Sequence, residues 1–252
     1  MKNYTKGYKP KVSVIMVCLN AAKELEATIR SIVQQSYKNI ELVIIDGGSK
    51  DDTKKIIKKY QRYIDYFVSE PDKGISDAFN KGIKASSGDF INFQGAGDCF
   101  YNKDTIEKML EGIDPKKDQL VCGKIDRVDI DNKVLYTSGL FFKPWQLLYK
   151  MALPHQSLFT NRMFFDKYGL FDLSCKFAMD YEILLRAYKN FPNVILKNVV
   201  VSSWKDGGVG ANRTREVLAE YDRIRRKNKI APSWILTIIY LLVKIRYLFV
   251  KV

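Results

Sequence analysis

The sequence predicts an α/β fold with a doubly wound, mostly parallel sheet. Through the first hundred residues, short apolar runs alternate with segments of helical period, and this alternation is typical of parallel βαβ units. The 252 residues suffice for one sizeable α/β domain with an appendage, and an apolar fraction of 46% is ordinary for a globular core. We therefore expect an α/β domain over 1–210, followed by a helical segment over 211–252.

Residue patterns justify each element in turn. The run VSVIMVCL is short and stops at Asn20, so it indicates a first strand better than a secretion signal. Leu25, Ile29 and Ile32 then recur at helical spacing, and Asp51 or Asp52 can cap the helix after the second strand. The expected strands are 11–17, 41–45, 66–69, 90–93, 120–128, 133–137 and 194–201, the fifth and sixth forming a hairpin around Asp131 and Asn132. The expected helices are 22–35, 52–63, 74–85, 105–111, 144–151, 161–168, 179–189, 213–229 and the segment from Ser233.

The charge balance and the cysteines limit the function classes. Lys and Arg outnumber Asp and Glu by 42 to 28, and a net charge of +14 indicates an anionic partner such as nucleic acid, an anionic membrane or a phosphorylated substrate. The four cysteines have no CxxC spacing and the chain has one histidine, so we expect no zinc site and reduced thiols in a cytosolic compartment.

The last twenty residues differ in kind from the rest. The segment SWILTIIYLLVKIRYLFVKV follows a strongly basic helix, and its apolar run is too short to span a bilayer comfortably. Trp234, Tyr240 and Tyr247 are aromatic residues of the type found at membrane interfaces. We expect a helix lying on an anionic membrane surface. The alternative is a helix docked on the domain or on another chain, including a second copy of this one.

Asp46 ends the second predicted strand, where a carboxylate can accept hydrogen bonds from a ribose or a base. A dinucleotide site would also need GxGxxG after the first strand, but that loop reads CLNAAKE. A dinucleotide cofactor is therefore not expected. The alternative interpretation of Asp46 is a turn former beside Gly47.

The stretch SEPDKGISDAFNKGIKASSGDFINFQGAGDCF combines a charged turn, a short helix, an apolar strand and a carboxylate in a glycine-rich turn. Such an order suits a charged, phosphate-bearing ligand at the carboxyl ends of parallel strands. Asp98 is a candidate ligand for Mg²⁺ or Mn²⁺, which favour hard oxygen ligands shared with phosphates. The alternative is a plain turn, or the cap of the helix that follows.

Several of these pieces in one order resemble the inverting nucleotide-sugar glycosyltransferases of family 2, which have the GT-A fold. The resemblance covers about residues 11–205 through KVSVIMVCLN, SIVQQSYKNIELVIIDGGSKDDT, SEPDKGISDAFNKGIKASSGD, GAGD, PHQSLF and FAMDYEILLRAY. It is similar in particular to bacterial members that build lipopolysaccharide, capsule or other surface glycans. The resemblance implies a UDP-sugar donor, a divalent metal cofactor (Mn or Mg) and single-displacement transfer.

The resemblance also implies a role for each matching residue. Asp180 matches the general base and Asp98 the metal ligand, while Asp46 matches the residue that binds the base, usually uracil. The other residues expected in the nucleotide-sugar site are Cys18, Asn20, Asp72, Lys73, Gly74, Asn80 and Gly97. The residues expected beside the acceptor or the diphosphate are His155, Gln156, Trp204 and Asp206. One departure is that close relatives carry Asn-Ala-Asp-Asp where this chain has Gly-Ala-Gly-Asp, so Gly97 replaces a carboxylate.

These expectations combine into a metal-dependent, inverting glycosyltransferase on the cytoplasmic face of the bacterial inner membrane. An interfacial tail would place the cleft beside a lipid-linked acceptor. Two alternatives are open: a non-catalytic partner subunit with the same fold, and a nucleic-acid-binding protein. The second is disfavoured because no familiar nucleic-acid motif occurs and much of the basic excess lies in the tail.

Overall fold

A computed structural model describes residues 8–117, 120–129, 133–139, 141–205 and 213–249. Nine strands of the described residues form one sheet in the order β3-β2-β1-β4-β8-β6-β9-β5, and β7 pairs with the C-terminal part of β6. The strands are β1 (Val12–Cys18), β2 (Ile40–Asp46), β3 (Tyr66–Ser69), β4 (Phe90–Gly95), β5 (Cys99–Phe100), β6 (Leu120–Val128), β7 (Val134–Ser138), β8 (Leu158–Asn161) and β9 (Val194–Lys205).

Eight α-helices accompany the sheet within the described ranges. They are α1 (Leu25–Val33), α2 (Thr53–Lys59), α3 (Ile75–Ala85), α4 (Thr105–Leu110), α5 (Arg162–Tyr168), α6 (Met179–Arg186), α7 (Thr214–Lys227) and α8 (Ser233–Phe249). Short 3₁₀ turns lie at Gln61–Tyr63, Pro144–Leu148, His155–Ser157 and Tyr188–Asn190.

The sheet separates two apolar cores because successive strand residues point to opposite faces. Ile15 and Val17 of β1 pack with residues of α3, α5 and α6, whereas Val14 and Met16 pack with residues of α1, α2 and α4. Burial on both faces explains why β1 and β2 are nearly continuous apolar runs.

The parallel half of the sheet agrees with the sequence prediction, because β3, β2, β1 and β4 are mutually parallel. The other half is mixed, since β8 runs antiparallel to both β4 and β6 while β9 is parallel to β6. Strands β5 and β8 were not expected from the sequence, and 144–151 contains a 3₁₀ turn in place of the expected longer helix. The β6–β7 pairing is as predicted, but Asp131 and Asn132 lie outside the described residues.

The C-terminal helices pack on the α/β unit. Ile224 of α7 and Leu236 of α8 belong to the same core cluster as α3 and α6, and Ile230 between the helices joins them. The boundary placed at residue 210 stays a prediction about where membrane association begins, but α7 contributes to the core. Over the ranges that the structure describes, no helix has the length and apolar character needed to cross a bilayer.

Candidate active site

The carboxyl ends of the parallel strands bring the first group of predicted residues together. Cys18, Asp46 and Ser69 are neighbours in register across β1, β2 and β3, and Gly95 of β4 is paired with Val17. Parallel strands end at one edge of a sheet, and this edge is where open α/β sheets bind their ligands. The chain therefore places the predicted nucleotide-binding segments side by side.

Asp46 is fully buried at this edge. Its carboxylate accepts hydrogen bonds from the Ser69 hydroxyl at 2.5 Å, the Ser49 N–H at 3.1 Å and the Ser49 hydroxyl. The Cys18 thiol donates to it at 3.7 Å, and burial, followed by the Asp46 charge, raises the pKa of that thiol. The thiol is thus held protonated. The structure uses Asp46 to fix the β2 turn, and its contact with a nucleotide base stays a prediction.

The first loop and the turn after β2 hold each other in place. The Asn20 N–H donates to the Ser49 hydroxyl at 2.7 Å, and the Asn20 amide oxygen accepts from the Lys50 N–H at 2.9 Å. Asn20 has φ of 49°, a left-handed conformation that asparagine tolerates better than most residues. Its side chain is exposed at the sheet edge, where a ligand can reach it.

The turn before α3 approaches the β2 turn closely. A Cβ on Gly47 would lie 2.5 Å from Oδ2 of Asp72, so a side chain there would collide with that carboxylate. Oδ1 of Asp72 accepts from the Gly74 N–H at 2.8 Å, and Gly74 has φ of 111° at the start of α3. Lys73 and Gly74 are exposed, so the turn offers a cation next to the Asp72 carboxylate, while the Lys73 N–H donates to Asp77 at 3.0 Å.

Asn80 has a structural role in the free protein. Its amide donates to the Phe171 carbonyl and accepts from the Phe171 N–H, both at 2.9 Å. These two hydrogen bonds clamp α3 to the segment that leads into α6, and the side chain is buried. Asn80 supports the turn that precedes it, and a direct contact with the diphosphate stays a prediction.

Asp98 lies just beyond the end of β4. One carboxylate oxygen accepts from the Gly95 N–H at 2.9 Å and from the Gln156 amide at 3.4 Å. These hydrogen bonds do not offset the desolvation of the charge, so burial raises the pKa of Asp98 to about 6. The protein thus leaves this negative charge under-compensated, as is common for a carboxylate whose partner is a bound ligand.

Gly97 has a backbone that favours glycine. Its φ is 103°, and a Cβ there would make only ordinary contact with Glu24, whose Cβ would lie 3.6 Å away. There is therefore space for a side chain at this position, but a residue other than glycine would be strained by the positive φ. The backbone of this turn thus favours Gly97 over the aspartate that close relatives carry at the same position.

The turn at His155 and Gln156 contacts Asp98 by a hydrogen bond and is influenced by the charge of Asp180. Gln156 donates to Asp98, and the Asp180 charge raises the pKa of His155 against the larger lowering by burial. The imidazole stacks on Phe93 with ring centroids 5.0 Å apart, and Nε2 is buried without a hydrogen-bond partner among the described residues. The 3₁₀ turn that carries His155 and Gln156 therefore contacts Asp98, and the charge of Asp180 acts on its imidazole.

Asp180 lies in the first turn of α6, where it accepts from the Tyr181 N–H at 2.8 Å. This is the only hydrogen bond of its side chain to any described residue, and the side chain is partly exposed. The positive end of the helix dipole favours an ionised carboxylate at this position. Asp180 therefore has the exposure and the environment of a proton acceptor.

Trp204 of β9 lies near the glycine-rich turn that carries Asp98. In the antiparallel pairing of β5 and β9, Cys99 is opposite Ser203, so the next step along the two strands brings Asp98 towards Trp204. The Arg127 guanidinium lies 5.0 Å from the Trp204 ring and 5.7 Å from the Tyr136 ring. Asp206, the other residue expected in this loop, lies outside the described residues.

Sequence reasoning missed the amides beneath the site. The Gln94 amide donates to Asn92 and to the Gln156 carbonyl, and the Asn92 amide also donates to that carbonyl. Two buried polar residues at alternate positions of an apolar strand were the available signal, because buried amides need partners. These hydrogen bonds fix the backbone of Gln156 and thereby the position of the 3₁₀ turn at His155–Ser157.

A divalent metal, which the resemblance implies, would have few protein ligands here. No group of three or more His, Cys, Asp or Glu side chains in the described part of the chain could hold a metal ion. Asp98 alone fits the mode in which Mg²⁺ or Mn²⁺ is bound by one or two carboxylates, substrate phosphates and water. A cation there would also supply the charge compensation that the protein leaves out.

An α/β sheet with these carboxylates at the carboxyl ends of its parallel strands defines a glycosyltransferase of the GT-A class. The model of Glycosyl transferase family 2 matches residues 13–188, and the chain belongs to this family. A PGL/p-HBAD biosynthesis glycosyltransferase of Mycobacterium tuberculosis is 30% identical over 207 residues, covering 79% of this chain and 78% of that one. An uncharacterized glycosyltransferase of the same species is 32% identical over 220 residues, covering 86% and 82%.

Solved structures share the fold. S. aureus TarS 1–349 in complex with UDP has a TM-score of 0.70 at 18% identity, covering 96% of this chain and 72% of that one. The mannosyltransferase PcManGT from Pyrobaculum calidifontis, in complex with GDP-Man and Mn²⁺, has a TM-score of 0.65 at 15% identity, covering 97% and 77%. The GT-A fold class expected from the sequence is thereby confirmed, and the chain is a glycosyltransferase.

Proposed function

We propose that this glycosyltransferase moves a sugar from a UDP-sugar to a hydroxyl of a lipid-linked glycan acceptor, with inversion at the anomeric carbon. The observations that carry the proposal are the under-compensated Asp98, which Gln156 contacts, and the partly exposed Asp180 in the first turn of α6. Asp98 is suited to the departing diphosphate, and Asp180 is suited to the attacking hydroxyl.

Asp180 is the general base in this proposal. Its carboxylate takes the proton of the acceptor hydroxyl while that oxygen forms a bond to the anomeric carbon. The bond from the anomeric carbon to the diphosphate oxygen breaks, and the electron pair leaves with the nucleotide. One displacement of this kind inverts the anomeric centre. Asp180 occupies the first turn of α6, where the helix N-terminus favours a negative charge.

Asp98 is the residue that would hold a divalent metal, and enzymes of this fold typically use one. When bound, the metal would offset the charge that develops on the departing diphosphate. The Gln156 amide orients the Asp98 carboxylate from the acceptor side of the cleft. The turn at Asp72, Lys73 and Gly74 is the candidate site for the diphosphate, because it carries an exposed cation and packs beside the turn that ends β2.

The donor is proposed from the relatives and from the sheet edge. TarS is known in complex with UDP and with UDP-GlcNAc, and PcManGT with GDP-Man. The exposed Asn20 and Lys73 lie in loops at the carboxyl ends of the parallel strands, the edge where open α/β sheets bind their ligands. A nucleotide sugar is therefore the proposed donor class, with UDP as the first nucleotide to test.

The surface of α8 supports membrane association. Its large exposed apolar residues recur at helical spacing on one face, opposite the buried Leu236, and they are Trp234, Ile238, Leu241, Leu242 and Ile245. Lys244 and Arg246 are exposed beside this face. An apolar face with flanking cations suits the interface of an anionic bilayer. We propose that the enzyme docks peripherally on the cytoplasmic face of the bacterial inner membrane.

Donor choice is tested by a screen of nucleotide sugars with MnCl₂, read by thermal shift and by nucleotide release. A ligand of the folded chain raises its apparent stability by mass action. We expect a shift with UDP and with one UDP-sugar, and NMR of the product should show the anomeric configuration opposite to that of the donor. Retention of configuration would refute the mechanism, and binding without turnover for every acceptor would favour a non-catalytic subunit.

Membrane docking is tested with substitutions on α8. Deletion of the helix would remove Leu236 from the core, so the exposed pair Leu241→Glu and Ile245→Glu is the cleaner change. The pair should abolish sedimentation with anionic vesicles, whereas the charge-matched pair Val134→Glu and Leu135→Glu, exposed on β7, should leave it intact. Unchanged sedimentation would refute docking through α8. Conversion of a dimer to a monomer with unchanged sedimentation would assign the face to a second copy instead.

A further inference from the structure

A carboxylate on α7 binds the backbone just before the proposed base. Oε1 of Glu220 accepts from the N–H groups of Phe177 at 2.9 Å and Ala178 at 2.8 Å, and Oε2 accepts from the N–H of Lys176 at 2.9 Å. Glu220 is buried, with 8% of its surface exposed. Three consecutive backbone donors therefore converge on one side chain that lies more than forty positions away in the sequence.

The chemistry of this contact requires a carboxylate. An ionised carboxylate offers acceptors on both oxygens, whereas an amide of the same shape offers one acceptor oxygen and one NH₂ donor. Arg223 forms a longer ion pair with the same carboxylate, with Nη2 3.8 Å from Oε2. The backbone N–H groups thus supply the closest contacts to this carboxylate, and Ala178 is the N-cap residue of α6.

The neighbouring residue of α7 holds the other side of the base. The Tyr221 ring stacks on the Tyr181 ring with centroids 4.5 Å apart and planes 20° apart. The Tyr181 hydroxyl in turn donates to the Leu147 carbonyl. Glu220 therefore fixes the residues before Asp180, and Tyr221 packs on the residue after it.

We infer that Glu220 is a positioning residue for the proposed base, holding residues 176–178 so that Asp180 faces the acceptor. The inference rests on the proposed role of Asp180. A base must lie within hydrogen-bond reach of the proton it removes, and a small displacement of its backbone is costly in rate. Helix α7, which resembles a solvated basic helix in the sequence, is thus part of the active-site framework.

The same helix links this framework to the outer surface. The Arg223 guanidinium donates to the Ser174 carbonyl at 3.1 Å, and Lys227 forms an ion pair with Asp172. The Arg226 guanidinium donates to the Thr237 hydroxyl of α8 at 3.1 Å. The segment 172–178 is therefore held along the length of α7.

The test substitutes Glu220→Gln, with Glu216→Gln, an exposed glutamate one turn earlier, as the matched control. We expect Glu220→Gln to lower kcat at least tenfold, with the KM for the donor and the affinity for UDP changed less than threefold. Hydrogen exchange of the 174–180 segment should accelerate, and the control should match the wild type in all of these. If Glu220→Gln does not fold, Glu220→Asp keeps the charge on a shorter side chain. We expect this variant to lower kcat and to accelerate hydrogen exchange in the same way, with smaller effects.

A double-mutant cycle separates positioning from general stability. In an Asp180→Asn background, Glu220→Gln should change the residual rate less than twofold, because the residue through which it acts is already gone. An equal loss of rate in both backgrounds, or an unchanged kcat in the wild-type background, would overturn the inference. Absence of turnover by the wild type with every donor would count against the proposed function instead, and the two failures are thereby distinguished.

Discussion

Replacing Asp98 with Asn should stabilise the free protein. The carboxylate is partly buried, and its hydrogen bonds from Gly95 and Gln156 leave the desolvation of the charge uncompensated. Burial therefore raises the pKa of Asp98 from 3.8 to about 6. Asn has no charge to desolvate, and its amide oxygen can accept the same two hydrogen bonds.

The size of the effect follows from the pKa of Asp98. A shift of one pKa unit corresponds to about 1.4 kcal/mol, so ionised Asp98 lowers the free energy of unfolding by about 3 kcal/mol at pH 7.5. Because its pKa is raised on folding, the folded chain binds the proton more tightly than the unfolded chain does. Stability is therefore lost as the pH rises from about 4 through about 6, and at pH 5 the cost is about half its full value.

The assay is urea unfolding in EDTA at pH 7.5 and pH 5. We expect Asp98→Asn to be more stable than the wild type by about 3 kcal/mol at pH 7.5 and by about half that at pH 5. Asp166→Asn, at an exposed position, should stay within about 0.5 kcal/mol of the wild type. Equal or lower stability of Asp98→Asn at pH 7.5, or a difference that grows towards pH 5, would refute the reasoning.

Two further predictions concern the same cleft. Gly97→Asp should lower the free energy of unfolding by roughly 1–3 kcal/mol, because φ of 103° strains a side-chain-bearing residue, and unchanged urea unfolding would contradict this. His155→Phe should flatten the loss of stability below about pH 6.5, because burial lowers the pKa of His155 and the unfolded chain then binds a proton that the folded chain does not. Parallel pH profiles of unfolding for His155→Phe and the wild type would show that His155 does not cause this loss.

The parallel half of the fold could be predicted from the sequence because its signals are local. Strands buried on both faces are continuous apolar runs, and α1 carries Leu25, Ile29 and Ile32 at helical spacing. The observed bounds differ from the predicted ones by a few residues at most for β1, β2, β3 and β4. Helix ends are less certain because caps and 3₁₀ turns shift them, as at the end of α6.

The antiparallel additions could not be predicted because their signals are not local. Strand β5 has two residues and β8 has four, and both exist through pairing with strands that are distant in the sequence. Propensity is a weak guide for such short strands, since packing against neighbours decides them. These additions bring Trp204 towards Asp98.

For the site, motifs predicted which residues matter but not how the protein employs them. The Asn80 amide binds the backbone of Phe171, which is 91 positions away, and Glu220 binds a loop more than forty positions away. Neither contact has a sequence signal, because each joins residues that are distant in the chain. An acid on a basic helix, such as Glu220, is ordinarily solvated. The fold alone determines that one amide clamps two elements and that one acid supports the start of α6.

The rate of sugar transfer by Asp180→Asn tests the central claim most directly. With the UDP-sugar found in the screen, we expect kcat to fall at least a hundredfold, since a positioned base contributes about 10²–10⁴ in rate. The affinity for UDP and the thermal stability should match those of the wild type, because the side chain is partly exposed and its hydrogen bond from Tyr181 can be kept by Asn. An Asp180→Asn enzyme that transfers sugar at the wild-type rate would contradict the account.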